Sequence, residues 1–541
     1  MSSAPALRLV TEGGGPVVDD RALADLGRDD IGNSERLRFR HGEDLRRTPG
    51  LGTLVFIDGK RWRLDPENAE ALKRAQLTAR AIELEAKAVL EEAKKLDGGD
   101  EGDEDEDDAD DKKLTPTQRK KKQLRNMART LMGWRTQSSN SARLSAMLTQ
   151  SWPHLHHDLE AWNAKPNLFN VENGTLEFDG LDKKLREHRR EDYLTHMAGV
   201  AYDENAQCPE FRAFLDRVLP PAKDEHGNED RALQGFVQRA LGACLIDSVR
   251  DQAMVVFHGG GANGKSTLLN AVARVLGSYC MTVAVQTLLY SEQSGSSASP
   301  DVARLAERPR MIRVSEPEPG AKLSEGGVKS LTGGEPIVAR KLHEAPVEFH
   351  IVGKIILSCN NRPSIRGGDD GIWRRILLVP WKVQIPPEEQ REKGPALEAA
   401  LEREAPGILN WLIDGLSDYF ERGGLDPPES VLAETLAYRT DSDVIGRFIA
   451  ECCVKSDGAR VDGAELYDAF KAWSKDEGMK EPLSANMVGR RLTDRGFGRE
   501  KSCGAVIRIG LDLTDEWKQR VRAGVFGGDD SDKGKKKGRD E

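Results

Sequence analysis

Residues 252–276 read QAMVVFHGGGANGKSTLLNAVARVL. The apolar run Ala253–Phe257 predicts a buried strand, and His258–Gly264 predicts a loop. After Lys265 the apolar residues Leu268, Leu269, Val272 and Val275 return at helical spacing. Strand, glycine-rich loop and helix follow one another, and the loop fits G-x-x-x-x-G-K-[ST] at Gly259, Gly264, Lys265 and Ser266. Glycines let backbone N–H groups turn toward a phosphate without a Cβ in the way, and the helix start adds its partial positive charge. The expected nucleotide cradle is Gly259, Gly260, Gly261, Ala262, Asn263, Gly264, Lys265, Ser266 and Thr267. Lys265 is expected on the β- and γ-phosphates of ATP and Ser266 Oγ on Mg²⁺.

At 541 residues the chain exceeds what one core supports, so two to four domains are expected. It has no apolar run long enough for a membrane span. The start, MSSAPALRLVTEGGG, has no basic flank followed by an apolar core, so no secretory signal is expected. The seven cysteines lack metal-ligand spacing and read as free thiols of a reducing compartment. The net charge of −10 argues against a generic nucleic-acid binder. Much of it, however, is concentrated in DGGDEGDEDEDDADD at 97–111, a composition that cannot bury apolar surface and reads as a disordered linker. Without that run, the basic clusters Arg119–Lys122 and Lys533–Arg539 stand out, each more often a solvated face or tail than a binding site.

Elsewhere, residues 1–30 lack periodicity and are expected to be poorly ordered. Leu54–Ile57 and Lys60–Leu64 predict a hairpin about Asp58-Gly59, and Asn68–Leu96 a long helix. Residues 114–165 are helical in composition, with Trp134, Trp152 and Trp162 as core candidates. Residues 167–180 predict a second hairpin about Asn173-Gly174, and 207–250 two helices. After a flexible loop at 291–300, strands are expected at Met311–Val314, Glu335–Lys341, Val347–Ile351, Lys354–Leu357 and Ile376–Val379. Strands alternating with helices indicate an α/β domain on a mostly parallel sheet. Residues 396–422 are helical, Pro427-Pro428 breaks the chain, and 441–513 reads as three helices followed by short strands, a winged-helix order.

An ATPase also needs a carboxylate to orient water, a polar sensor of the γ-phosphate and an arginine for transition-state charge. Glu316 and Glu318 follow the Met311–Val314 strand, with Glu316 the expected second metal contact. Asn360 ends the Lys354–Leu357 run, and Arg374 and Arg375 precede Ile376–Val379. Surface acids, a turn amide and a solvated arginine pair would look the same in isolation; their order relative to the strands singles them out.

The ordered set GGGANGKST (259–267), SEPEPG (315–320), VKSLTGGEPIVARKLH (328–343), LSCNNRP (357–363) and GIWRRILLVP (371–380) resembles the superfamily 3 helicases. Within them it resembles the phage/plasmid primase–helicase group that includes the poxvirus-type helicase-primase. The likeness continues upstream through LFNVENGTLEF (168–178) and DYLTHMAGVAYDENAQCPEF (192–211) and downstream through WLIDGL (411–416). An opening like DIGNSERLRFRHGEDLR (30–46) also occurs in phage members. The resemblance implies an AAA+-like ring hexamer that hydrolyses ATP, moves along single-stranded DNA and unwinds duplex 3′ to 5′. It assigns Lys265 and Ser266 to Walker A, and Glu316 with Glu318 to Walker B. Lys329 and Gly333-Gly334 fall in motif B′, Asn360 is the sensor, and Arg374 and Arg375 occupy the arginine-finger position, acting in trans. The hairpin tip with Arg340, Lys341 and His343 is expected to track the DNA backbone in the ring channel.

The expected domains are a partly disordered N-terminal region (1–96), an acidic linker (97–113), a mixed helical domain (114–235), the helicase core (236–395), a helical segment (396–440), a winged-helix-like domain (441–515) and a disordered tail (516–541). The primase domain of larger relatives has no room ahead of the acidic run. Forked and single-stranded DNA and a separate primase or polymerase are the expected partners, with no membrane. A phage, prophage or plasmid-like element in a bacterial cytoplasm is the expected setting. A replication initiator or loader without processive unwinding, and a primase–helicase, are the alternatives.

Overall fold

The computed structural model describes residues 18–96, 115–223, 226–289, 300–340, 346–365, 370–479, 482–502 and 505–524. At its centre is a five-stranded sheet in the order Cys280–Val283, Met311–Val314, Lys354–Cys359, Met254–His258, Ile376–Pro380. Every pairing in it is parallel, with Ile355 and Ile376 both opposite Met254. The three strands 254–258, 354–359 and 376–380 are buried almost throughout, as parallel strands covered on both faces must be. Val255, Phe257, Ile356, Leu377 and Val379 face one core, built with the helices Pro209–Val218, Ala232–Gly242, Lys265–Leu276 and Ala405–Arg422. Met254, Val256, Ile355, Leu357, Ile376 and Leu378 face the other, with Val328 and Leu331 of the Glu325–Thr332 helix, Trp373 and Tyr438.

The expected boundaries at 235 and 395 do not separate cores. The first falls inside the Ala232–Gly242 helix and the second inside Pro387–Arg403. The reason is that a parallel sheet needs its face covered, and the helices on both sides of those boundaries cover the same one.

The helices flanking the acidic run belong to one core, where the expected domain division set them apart. The helices Ala69–Lys95 and Pro116–Ser138, on either side of the acidic run, share one cluster of Ile82, Ala86, Val89 and Ala93 with Leu124, Ala128, Leu131 and Trp134. Ion pairs Lys120–Glu92 (3.2 Å) and Arg135–Glu83 (3.5 Å) set the two helices antiparallel. The run at 97–113 therefore joins two arms of one helical hairpin, and residues 97–114 lie outside the described residues. Its charge says nothing about the alanine-rich stripes flanking it, which read as helix propensity and turn out to be core. The Gly52–Ile57/Arg61–Leu64 hairpin is as expected, with Asp58 and Gly59 both at positive φ (57° and 67°), and Leu45–Thr48 adds a third strand.

Two stretches expected to be disordered are partly structured. Within 1–30, Asp19 caps a short helix Asp20–Leu23 whose Leu23 and Ala24 are buried; residues 1–17 lie outside the described residues. Within 516–541, the helix Asp515–Arg522 is capped by Thr514 and buries Trp517 in the C-terminal core; residues 525–541 lie outside the described residues. A single buried apolar side chain per short helix leaves no periodicity to read. The loop expected at 291–300 also lies almost wholly outside them.

The C-terminal domain runs helix Val444–Cys452, strand Cys453–Asp462, helices Gly463–Asp476 and Ala485–Asp494, then strands Gly498–Ser502 and Ala505–Leu513. The first strand was not anticipated. Its residues are mostly exposed, and among the described residues it pairs with Ala505–Leu513, more than forty residues on.

Candidate functional site

The 258–266 loop leaves the C-terminal end of the Met254–His258 strand, between the ends of its two neighbours. The Gly259 N–H donates to Cys359 O (3.3 Å) and the Trp381 N–H to His258 O (2.7 Å), so both flanking strands hold the start of the loop. A Cβ on Gly259 would overlap the Trp381 carbonyl, whereas one on Gly260 would meet nothing within 4 Å. Ala262 and Gly264 take positive φ (60° and 82°), turning the chain into the Lys265–Leu276 helix. No side chain caps that helix start, so its first N–H groups are left for an anion.

Lys265 is 4% exposed, and among the described residues its ammonium has no carboxylate hydrogen-bond partner. Its Nζ donates to Gly259 O (2.7 Å), Asn263 Oδ1 (2.9 Å) and Asn360 Oδ1 (3.2 Å). Burial holds its pKa below the ordinary lysine value, with Cys359 and Glu316 opposing the shift. A buried ammonium resting on three neutral oxygens is a cation awaiting stronger acceptors, and phosphate oxygens fit that need. Ser266, in the first turn of that helix, and Glu316 are both exposed. Among the described residues there is no cluster of three or more His, Cys, Asp or Glu side chains suited to a metal.

Asn360 joins this group from the neighbouring strand, and its N–H donates to Glu316 Oε1 (2.9 Å). The structure thus brings Lys265, Asn360 and Glu316 into one bonded chain across the ends of three adjacent strands. Glu318, exposed in the same loop, takes no part in it.

Arg374 and Arg375 are elsewhere. They precede a strand parallel to Met254–His258, and Arg375 O accepts from the Met254 N–H (2.6 Å). They therefore sit at the end of the sheet opposite the loop, roughly 16 Å of strand away. The two also differ from each other. Arg375 is 9% exposed and donates from Nη1 to Gly371 O (2.6 Å), while Arg374 is exposed.

The Pro336–Ala339/Val347–His350 hairpin is antiparallel and shorter than expected, with Val338 65% exposed. Arg340 is exposed at its rim, while Lys341 and His343 lie outside the described residues. Lys329 is on the helix leading to Gly333-Gly334, of which Gly334 is at positive φ (74°).

Two features escaped the sequence reading, the bracing role of Asn263 within the expected cradle and Arg310 at the opposite end of the sheet. Asn263 is 3% exposed and braces Lys265, its Nδ2 donating to Gly260 O (3.3 Å). Arg310, 2% exposed, places its guanidinium 4.8 Å from the Tyr279 ring centroid and donates to Leu168 O (2.6 Å), tying the 168–178 hairpin to the sheet. The first could have been read from the loop pattern; nothing in the sequence pointed to the second.

The family described as "D5 N terminal like" matches residues 34–220, and "Poxvirus D5 protein-like" matches 440–498. "Putative helicase L207/L206" of Acanthamoeba polyphaga mimivirus is 28% identical over 297 residues, covering 52% of this chain and 30% of that protein. "Putative helicase 022R" of Frog virus 3 is 26% identical over 275 residues, covering 48% and 27%. "Putative primase C962R" of African swine fever virus (strain Badajoz 1971 Vero-adapted) is 23% identical over 337 residues, covering 58% and 34%. The chain thus spans about a third of the length of these curated relatives. The apo structure of the NrS-1 C terminal region overlays 64% of this chain and 97% of its own at 10% identity, with a TM-score of 0.32. Together the two family matches and the viral relatives support a D5-like replication helicase-primase family. These relatives come from viruses of eukaryotes, which gives the expected bacterial host no support. Among the described residues no helix is long and apolar enough to cross a membrane.

Proposed function

We propose that the chain is an ATP-dependent DNA helicase of superfamily 3. On this reading 252–276 is the P-loop of an AAA+-like core, 441–515 is a winged-helix domain, and no primase domain is present in this chain. The observation that carries the reading is the bonded chain Lys265–Asn360–Glu316 beside an uncapped helix start.

Bound ATP with Mg²⁺ supplies the phosphoanhydride whose cleavage drives movement. The protein's part is electrostatic and positional. Lys265 exchanges neutral oxygens for phosphate oxygens, and the first-turn N–H groups hold the same charge in place. Ser266 and Glu316 would hold the ion. Asn360, anchored by Glu316, orients water toward the γ-phosphate. The distance of Arg374 from the loop within one chain favours its service to a neighbouring subunit's nucleotide, in a head-to-tail ring of six. Single-stranded DNA would pass the hairpin carrying Arg340, Lys341 and His343, with translocation 3′ to 5′, and a separate primase or polymerase would act alongside. An initiator or loader without processive unwinding, or a primase–helicase, are the rival readings.

Lys265→Ala provides the test. It should abolish ATP hydrolysis and strand displacement on a forked duplex while far-UV circular dichroism is unchanged. Wild-type turnover in the folded variant would end the reading. ATP hydrolysis by the wild-type protein without strand displacement would favour the loader, and ribonucleotide incorporation on a single-stranded template the primase–helicase.

A further inference from the structure

Asn360 opens a loop held by a helix distant in sequence. Two residues on, Arg362 Nη2 pairs with Asp441 Oδ2 (2.9 Å), and its guanidinium lies 5.2 Å from the Tyr438 ring centroid. The Tyr438 hydroxyl donates to Pro363 O. Its ring, 4% exposed, meets Trp373 edge-on at 5.2 Å and 87°. Burial raises the Tyr438 pKa, so the hydroxyl stays a donor. Asp441, Tyr438 and Thr435 all belong to the Glu429–Ser442 helix, whose Thr435 Oγ1 accepts the Leu378 N–H (3.0 Å) of the edge strand. That helix also pairs Arg439 with Asp370, just before the turn to Arg374. It is thus fastened to the edge strand through Thr435, to the 360–363 loop through Tyr438 and Asp441, and through Arg439 to the start of the Asp370–Trp373 helix.

We infer that Arg362, Tyr438 and Asp441 are positioning residues for Asn360. The Glu429–Ser442 helix straps the 360–363 loop so that the Asn360 amide faces Lys265. The inference rests on the proposed nucleotide site. What distinguishes it from plain packing is the exposure of the ion pair. The Arg362 and Asp441 side chains are 28% and 61% exposed. A pair so open to water contributes little to stability. Two residues from Asn360, it can still fix an amide whose reach to Lys265 is the longest of the three.

The test uses the full chain and the variants Arg362→Ala, Asp441→Ala, their double, Arg362→Lys and Tyr438→Phe, with Lys265→Ala as control. ATPase kcat and KM, affinity for a non-hydrolysable ATP analogue and melting temperature are measured for each. Arg362→Ala, Asp441→Ala and Tyr438→Phe should each lower kcat by about 2- to 30-fold. Analogue affinity should stay within about twofold for all three, and melting within about 2 °C of wild type for Arg362→Ala and Asp441→Ala; Tyr438→Phe, which leaves the buried Pro363 carbonyl unpaired, should melt lower. The double variant should be no slower than the worse single one, because both remove the same contact. Arg362→Lys should recover most of the rate. Wild-type kcat in the Arg362→Ala and Asp441→Ala proteins would overturn the inference, as would losses that multiply in the double or that track melting temperature. Full turnover in Lys265→Ala, or no hydrolysis by wild type, would instead remove the nucleotide reading beneath it.

Discussion

Gly264→Ala and Gly260→Ala put the same methyl group four residues apart in one loop, and the structure assigns them very different costs. Gly264 has φ 82°, and an added Cβ would lie 2.6 Å from Val218 Cγ1 and 3.1 Å from Phe214 Cε2, both on the buried face of the Pro209–Val218 helix. Left-handed backbone costs a residue with a Cβ about 1–2 kcal/mol. Forcing a methyl into a filled core costs about 1–3 kcal/mol more. The sum, about 2–5 kcal/mol, is a large share of the roughly 5–15 kcal/mol that holds a domain folded. Gly260 is outside the left-handed region and would meet nothing within 4 Å, so its alanine variant should stay within about 0.5 kcal/mol of wild type. Hydrogen exchange by mass spectrometry on peptides spanning 254–276 reads this locally, without requiring the whole chain to unfold in one step. The expected result is a loss of protection of about 2–5 kcal/mol for Gly264→Ala and none for Gly260→Ala. Equal protection in both variants, or equal losses, would refute the account of the loop as pinned at Gly264 and open at Gly260.

Three further outcomes follow from side chains already placed. Arg374→Ala should abolish ATP hydrolysis with little change in melting temperature, while Arg375→Ala should lower melting because it removes a buried guanidinium held by Gly371 O; activity should partly return when Arg374→Ala and Lys265→Ala proteins are mixed and allowed to exchange subunits. His196 is buried against Glu307 O (2.7 Å), and burial lowers its pKa from 6.5 to about 4. Between those values the unfolded chain binds a proton that the folded chain does not, so stability should fall as pH drops through 6.5 and be about 3 kcal/mol lower by pH 4, a slope that His196→Gln should flatten in urea titrations. Replacing Arg340, Lys341 and His343 together with alanine should weaken single-stranded DNA binding and shallow its salt dependence, with basal ATPase retained; unchanged binding in a filter assay across 50–200 mM salt would remove the hairpin from the DNA path.

The three central strands were legible because they are short apolar runs that each end where a chemistry-bearing residue begins: Phe257 before the glycines, Val314 before Glu316, Leu357 before Asn360; the edge strand Cys280–Val283 was not anticipated. The helix after Lys265 was legible from its leucine and valine spacing. Strand order was not, since a parallel sheet hides which run lies beside which, and only the folded register shows that Glu316 reaches Asn360 while Glu318 does not. Arg374 and Arg375 are indistinguishable as a dipeptide; burial separates them. The strap through Tyr438 and Asp441 was invisible for a different reason: its members are about 75 residues from the loop they hold and carry no pattern of their own.

The two arms of the N-terminal hairpin grip each other independently of the acidic run between them. Trp134 donates its indole N–H to Asn33 Oδ1 (3.0 Å), and Arg143 pairs with Asp30 (3.2 Å), both across that run. A protease cut anywhere in 97–113 would therefore give two bands on a denaturing gel and one particle on a sizing column. The two pieces, expressed from separate genes, should find each other and rebuild the domain. For the same reason the run is a permissive splice point: doubling its length costs only about 0.6 kcal/mol of loop closure, so a fluorescent protein or an affinity module placed there would report on the complete molecule without entering its core.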